Sequence, residues 1–172
     1  MPLILAPMGE QERRSVEEIS AIVVDCAYQL HAASGPGLLE AVYEVVLAKV
    51  LEKRGLRVRR QVPIPVRLMG YEFEMGFRAD LIVEESFMVE LKSVEILAPV
   101  HSKQLLTYMR LIGFPLGLLI NFGAATFKQG IKRIVNNHKD CADSPLRVNQ
   151  VLPTEERGEL KGLAAKLSRL AG

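Results

Sequence analysis

The chain has 172 residues, 49% of them hydrophobic and 24% charged, with a formal net charge of +2. That length and apolar content are enough for one sizeable core and make a single domain the expectation. So small a net charge excludes a histone-like or polybasic protein and leaves any nucleic-acid binding to a local patch.

Residues 1–14, "MPLILAPMGEQERR", carry a short apolar run with no basic region ahead of it, and read as a flexible tail rather than a signal segment. No apolar segment approaches the roughly 18 to 20 residues of a transmembrane helix, so no membrane partner is expected. Cys26 and Cys141 are isolated cysteines without metal-type spacing, which fits a reducing, cytoplasmic setting.

Ser15 with Glu18 three residues on makes a capping box, and Ile19, Ile22, Val23, Cys26, Ala27 and Leu30 recur at helical spacing, predicting a helix over Val16 to Ala32. Gly35-Pro36-Gly37 stops it. A second helix follows in "LLEAVYEVVLAKVLEKRG" and ends at Gly55; its apolar face is drawn by Leu39, Val42, Val46, Val50 and Leu51, widened by Leu38, Val45 and Leu47.

From Leu56 the period becomes two, with Val58, Val62, Ile64, Val66 and Leu68 on one face and Arg57, Arg59, Gln61 and Arg67 on the other. Pro63 and Pro65 remove donors on the same side, so this strand pairs fully on only one flank and is an edge or a bulged strand. After a turn at Gly70, "YEFEM" reads as one strand, and "RADLIV" and "FMVELKSV" as two more, separated by Glu84, Glu85 and Ser86. A helix over "VHSKQLLTYMRLIG" begins after Pro99 and closes at Gly113. "LGLLINF" has the form of a strand covered on both faces, and "GIKRIVN" of one further strand. The polar stretch from His138 ends in "TEERGELKGLAAKLSRLAG", a short amphipathic helix begun at Thr154. The expectation is an α/β domain over residues 15–137, with a mixed central sheet flanked by helices, and a C-terminal extension over 138–172.

The hairpin "RADLIVEESFMVELKSVE" raises the question of function. If Glu84 to Ser86 form its loop, Val83 pairs with Phe87, Asp80 falls opposite Glu90, and Lys92 points from the same face as Glu90. Two carboxylates so close repel unless one is protonated or a cation lies between them, and one lysine neutralises only half the charge. Oxygen ligands of this kind suit Mg²⁺ or Mn²⁺, and a lysine beside such an ion can hold a phosphate oxygen or orient the attacking water. On residue types alone a solvated surface hairpin explains the same charges. The apolar neighbours Leu81, Ile82, Val83, Val89 and Leu91 occupy both pleats and favour a partly dry pocket.

Asp80, then Glu90-Leu91-Lys92, then Gln104 to Tyr108 in "QLLTY" resembles the motif series of the PD-(D/E)XK nuclease superfamily, including the Gln-x-x-x-Tyr element of its recombination-type exonucleases. Upstream, Gly37, Glu40 and Tyr43 in "GLLEAVYE" are similar to the pattern that names the GxxExxY family of that superfamily. The resemblance runs from about Ile19 to Asn137. It implies a restriction-endonuclease-like αβββαβ core in which Asp80 and Glu90 bind Mg²⁺ with help from the Leu91 carbonyl, and Glu40 is an additional acidic ligand. It further implies that Lys92 is catalytic and that Gln104 and Tyr108 face the site from the following helix.

Other residues carry two readings each. His31 at a helix end and His101 beside the centre are candidate bases or substrate contacts, or else a cap and a packed ring. Glu95 is a site residue or a loop residue, and Tyr43 a substrate contact or a core residue with a bonded hydroxyl. Arg57, Arg59, Arg60, Arg67, Lys128, Lys132 and Arg133 are phosphate-binding rims or solvated faces. The expected function is a Mg²⁺- or Mn²⁺-dependent nuclease acting on nucleic acid, DNA ahead of RNA, with a homodimer plausible. The alternative is a nuclease-fold binding module that cuts nothing.

Overall fold

The computed structural model describes residues 14–136. The N-terminal tail expected over 1–14, apart from Arg14, and the extension over 138–172 with its helix at Thr154 lie outside the described residues. In chain order the elements are α1 (Val16–Ser34), α2 (Glu40–Lys53), β1 (Val58–Leu68), β2 (Tyr71–Val83), β3 (Phe87–Lys92), α3 (Pro99–Ile112), β4 (Leu116–Asn121), α4 (Phe127–Gly130) and β5 (Ile131–Val135).

The five strands form one sheet in the order β1-β2-β3-β4-β5. β3 and β4 are parallel, joined through α3, and the other neighbours are antiparallel. One face packs α1 and α2 through Ile19, Val23, Tyr43, Leu47 and Leu51 against Leu81, Val83, Val89, Leu91 and Leu118. The other packs α3 through Leu105 and Met109 against Val62, Ile64, Ile82, Met88 and Leu119. Both pleats of β3 and β4 are therefore covered, which is why "FMVEL" and "LGLLIN" are nearly unbroken apolar runs.

α1 begins with the expected capping box, Ser15 accepting from the Glu18 amide, and continues two residues past the expected Ala32. α3 starts with Pro99 in its first turn and closes on Gly113, which adopts the left-handed conformation at φ 73°.

Three expectations are corrected. The buried face of α2 is Tyr43, Glu44, Leu47, Ala48 and Leu51, while Leu39, Val42 and Val46 face outward. The helix is apolar on most sides, and Tyr43 decides its rotation: its ring stacks on Phe122 at 4.4 Å and its hydroxyl donates to the Gly35 carbonyl at 2.6 Å. Second, "YEFEM" and "RADLIV" are one strand, β2, with a register shift opposite Ile64 and Val66. Gly76 is required there, since a Cβ on it would lie 2.2 Å from Val66 Cγ2. Third, β1 does not keep one apolar face. Val58 packs on the α1/α2 side and Val62 and Ile64 on the α3 side, because Gln61 between them has φ 51° and breaks the alternation. β1 is the edge strand its prolines demand.

Candidate functional site

The β2–β3 hairpin turns through Glu84, Glu85 and Ser86, and the ladder runs Val83 to Phe87, Ile82 to Met88 and Leu81 to Val89. The next pair would be Asp80 with Glu90, but the ladder stops there. Instead Asp80 Oδ2 accepts the Leu91 backbone N–H at 2.8 Å, so a side-chain carboxylate takes the place of a main-chain partner.

Lys92 Nζ donates to Glu90 Oε1 at 2.8 Å and to the Leu91 carbonyl at 2.7 Å, and lies 3.9 Å from Glu40 Oε1. Glu40 is the first residue of α2, and its position follows from the Gly-Pro-Gly turn before it. The Tyr43 hydroxyl donates to Gly35 O and accepts from Leu38 N, and Ser93 Oγ donates to Leu38 O, which ties this turn to the end of β3.

Asp80 and Glu90 are buried, and Glu90 Oε2 has no hydrogen-bond partner among the described residues. Burial, reinforced by the Asp80 charge, pushes Glu90 from its ordinary 4.5 up to about 7 despite the Lys92 ammonium. Burial also raises Asp80, against the Leu91 N–H and Lys92, which favour its ionised form. For Lys92 burial pulls downward, but the bond to Glu90 and the surrounding carboxylates outweigh it and the net direction is up. The centre holds more negative charge than its lysine neutralises.

Two polar groups at the centre were missed by the sequence reading. Glu44 is buried one turn after Glu40 and accepts from Arg60 Nε at 2.8 Å and Gln61 Nε2 at 2.5 Å. The same Gln61 nitrogen lies 3.3 Å from Asp80 Oδ1, so it bridges the two carboxylates. The four-residue spacing of Glu40 and Glu44 was a usable signal; the left-handed backbone that swings Gln61 toward them was not. The buried Asn121 is a third omission. It holds Val94 through both its N–H and its carbonyl and so fastens the segment after Lys92 to the end of β4. Gly123 allows that approach, as a Cβ there would sit 2.4 Å from Val94 O.

The sheet and α2 thus bring Glu40, Asp80, Glu90, Leu91 and Lys92 together. Tyr108 lies at the border: its ring stacks on Phe77 at 3.6 Å, and burial and the Glu90 charge raise its phenol. Gln104, one turn earlier on α3, is exposed. The remaining candidates have the following surroundings. His31 Nε2 bonds Ala124 O at 3.1 Å, His101 Nδ1 accepts the Ala98 N–H at the start of α3, Tyr43 is core, and Glu95 is exposed. The arginine rim is largely neutralised in place: Arg57 pairs with Glu84, Arg59 with Glu85, Arg60 with Glu44, Arg67 with Glu72 and Arg133 with Glu17. Lys128 and Lys132 are exposed.

The donor set fits a hard divalent cation. Glu90 Oε2 is buried and unpartnered, Asp80 is beside it, and the Leu91 carbonyl and Glu90 Oε1 already hold a cation in the form of the Lys92 ammonium. Among the described residues no three His, Cys, Asp or Glu side chains converge closely enough to enclose a metal alone.

An α/β sheet flanked by helices, with Asp80 on one hairpin strand and Glu90-x-Lys92 on the next, has the architecture of a restriction-endonuclease-like protein. The chain belongs to the PD-(D/E)XK nuclease superfamily, whose sequence profile matches residues 17–134. Members of that superfamily are generally nucleases that need a divalent metal. Neither the curated proteins nor the solved structures compared with the chain gave a match. Among the described residues no helix is long and apolar enough to cross a membrane.

Proposed function

We propose that the chain is a Mg²⁺- or Mn²⁺-dependent nuclease of the GxxExxY branch that hydrolyses phosphodiester bonds of DNA in the cytoplasm, working as a homodimer. The observation that carries this reading is the buried, unpartnered Glu90 Oε2 next to Asp80, with Lys92 between the two outer carboxylates. Glu90 Oε1 is paired with Lys92, and the second oxygen, buried beside Asp80, is the one a cation would take up. DNA is favoured over RNA by the resemblance of Gln104 to Tyr108 to the element of recombination-type exonucleases.

Asp80 and Glu90 would hold the cation with the Leu91 carbonyl, and Glu40 would complete the acidic side. Bound there, the cation supplies charge neutralisation at the phosphate and a water of lowered pKa. Asp80 is oriented by the Leu91 N–H on Oδ2 and by the Gln61 amide on Oδ1. Lys92, on releasing the Leu91 carbonyl, stabilises the charge that develops on the phosphate. The apolar walls of the hairpin exclude bulk water and strengthen each of these interactions.

The experiment is cleavage of single-stranded, duplex and flapped DNA and of RNA with Mn²⁺ or Mg²⁺, alongside calorimetric titration with each ion. Asp80→Ala, Glu90→Ala and Lys92→Ala should each abolish cleavage. No ion binding together with no cleavage of any substrate would replace the nuclease with a binding module.

A further inference from the structure

β1 and β2 extend well past the rest of the sheet. β3 pairs with β2 only from Leu81 to Val83, and no residue between Pro65 and Gly76 belongs to either core. Among the described residues, the two strands have only each other over this stretch.

In register, Leu68 pairs with Tyr71 and Val66 with Phe73, so these four side chains share one face of the ribbon, while Arg67 and Glu72 pair with each other on the opposite face. The apolar face is open: Tyr71 is 72% exposed, Phe73 53% and Leu68 45%, with Met69 at the tip 87% and Met75 53%. An isolated two-stranded ribbon is marginal in water, and an apolar face normally needs a further layer. At about 200 Å² for each large side chain, these exposures sum to about 600 Å², the upper end for the largest apolar patch on a monomer and most of the roughly 800 Å² per partner in a stable interface.

The charges argue for a protein occupant. Arg67 and Arg78 are balanced by Glu72 and Glu74, so the ribbon has no net positive charge to displace counterions from a phosphate backbone. An apolar face backed by a charge-balanced polar face meets no net repulsion from a second copy of itself.

We propose that this ribbon face is the contact between two copies of the chain, packed ribbon on ribbon about a two-fold axis. This names the surface of the homodimer in the proposed function, but it does not depend on the centre's cutting DNA. The polar faces with their Arg67–Glu72 pairs then point to solvent on both sides. Two adaptable methionines at each ribbon close the edges of the contact.

Sedimentation velocity on the full chain, without metal or nucleic acid, tests it. The wild type should dimerise at micromolar concentration. Tyr71→Glu with Phe73→Glu should weaken self-association at least about 30-fold, the size expected of an interface hot spot. Tyr71→Ser with Phe73→Ser, which adds no charge, should weaken it in the same direction. Leu39→Glu with Val42→Glu on the outward face of α2 should leave it unchanged, and circular dichroism should show each variant folded. A wild type that stays monomeric up to about 100 µM, or a dimer that resists both ribbon variants or is broken by the α2 variant, overturns the proposal. Loss of all cleavage in an intact dimer would instead count against the nuclease reading and leave the interface standing.

Discussion

Asp80 Oδ2 accepts the Leu91 N–H at 2.8 Å, at the point where the β2–β3 ladder ends. One carboxylate therefore has two jobs, closing the hairpin and facing the centre, and substitution can separate them. Asp80→Ala leaves a buried N–H without an acceptor and should destabilise the fold by about 1–3 kcal/mol. Asp80→Asn keeps a carbonyl acceptor while removing the charge, so it should unfold near the wild-type midpoint yet fail to bind Mn²⁺. Urea unfolding and calorimetry on both variants check this. Equal destabilisation by the two would show that the bond to Leu91 is not what Asp80 contributes to stability.

Glu90 gives the metal-free protein a pH dependence whose sign is set by the direction of its shift. Its folded pKa, about 7, lies above its ordinary 4.5, so the folded state binds this proton more tightly than the unfolded state. The contribution is fully present below the unfolded value and is lost as pH rises through about 7. At about 1.4 kcal/mol per unit the loss approaches roughly 3 kcal/mol, and the raised Asp80 adds to it in the same direction. Unfolding in EDTA at about pH 5 and about pH 8 should show the wild type weaker at the higher pH, with Mn²⁺ restoring it there. Glu90→Gln should flatten the profile, and an unchanged slope in that variant would place the titrating group elsewhere.

How much of this was legible in the chain depends on which interactions are local. The hairpin register could be counted from the loop at Glu84 to Ser86 as far as Leu81 with Val89, and the two-residue spacing put Lys92 on Glu90's face; the expected pairing of Asp80 with Glu90 is replaced by the bond from the Leu91 N–H to Asp80. The doubly covered strand and the Pro99 and Gly113 boundaries of α3 were likewise written in adjacent residues. The rotation of α2 was not, because Val42 and Val46 are as apolar as Leu47, and only the stacking of Tyr43 on Phe122, remote in sequence, selects the buried face. The same limit hid Gln61 and Glu44. Their meeting needs an edge strand, a helix and a left-handed residue in register, and none of these shows as a local period.

Gln61 is strained for a reason that can be tested. A non-glycine residue at φ 51° inside a strand costs about 1–2 kcal/mol, and its side chain links Glu44 to Asp80. Gln61→Gly relieves the backbone, and Gln61→Ala does not; both lose the bridge. The glycine variant should be at least as stable as the alanine variant by urea unfolding, while both should bind Mn²⁺ more weakly than the wild type. Wild-type affinity in both would reduce the bridge to packing.

Lys92 gives the most discriminating case, because its ammonium occupies oxygens that a metal would use. Nζ is bonded to Glu90 Oε1 and Leu91 O, and lies 3.9 Å from Glu40. Replacing it with methionine removes a competing cation from those oxygens and leaves the acidic residues without their counter-charge. In EDTA the Lys92→Met protein should be less stable than the wild type at neutral pH and should recover as the pH falls, since protonating Glu90 relieves the repulsion. With Mn²⁺ present it should bind the ion more tightly, by about tenfold for each 1.4 kcal/mol of competition removed, and yet cleave nothing. Calorimetry and a cleavage assay on one preparation read both quantities. Tighter binding with full activity would remove Lys92 from the chemistry, whereas weaker binding would mean that the lysine organises the carboxylates rather than competing for them.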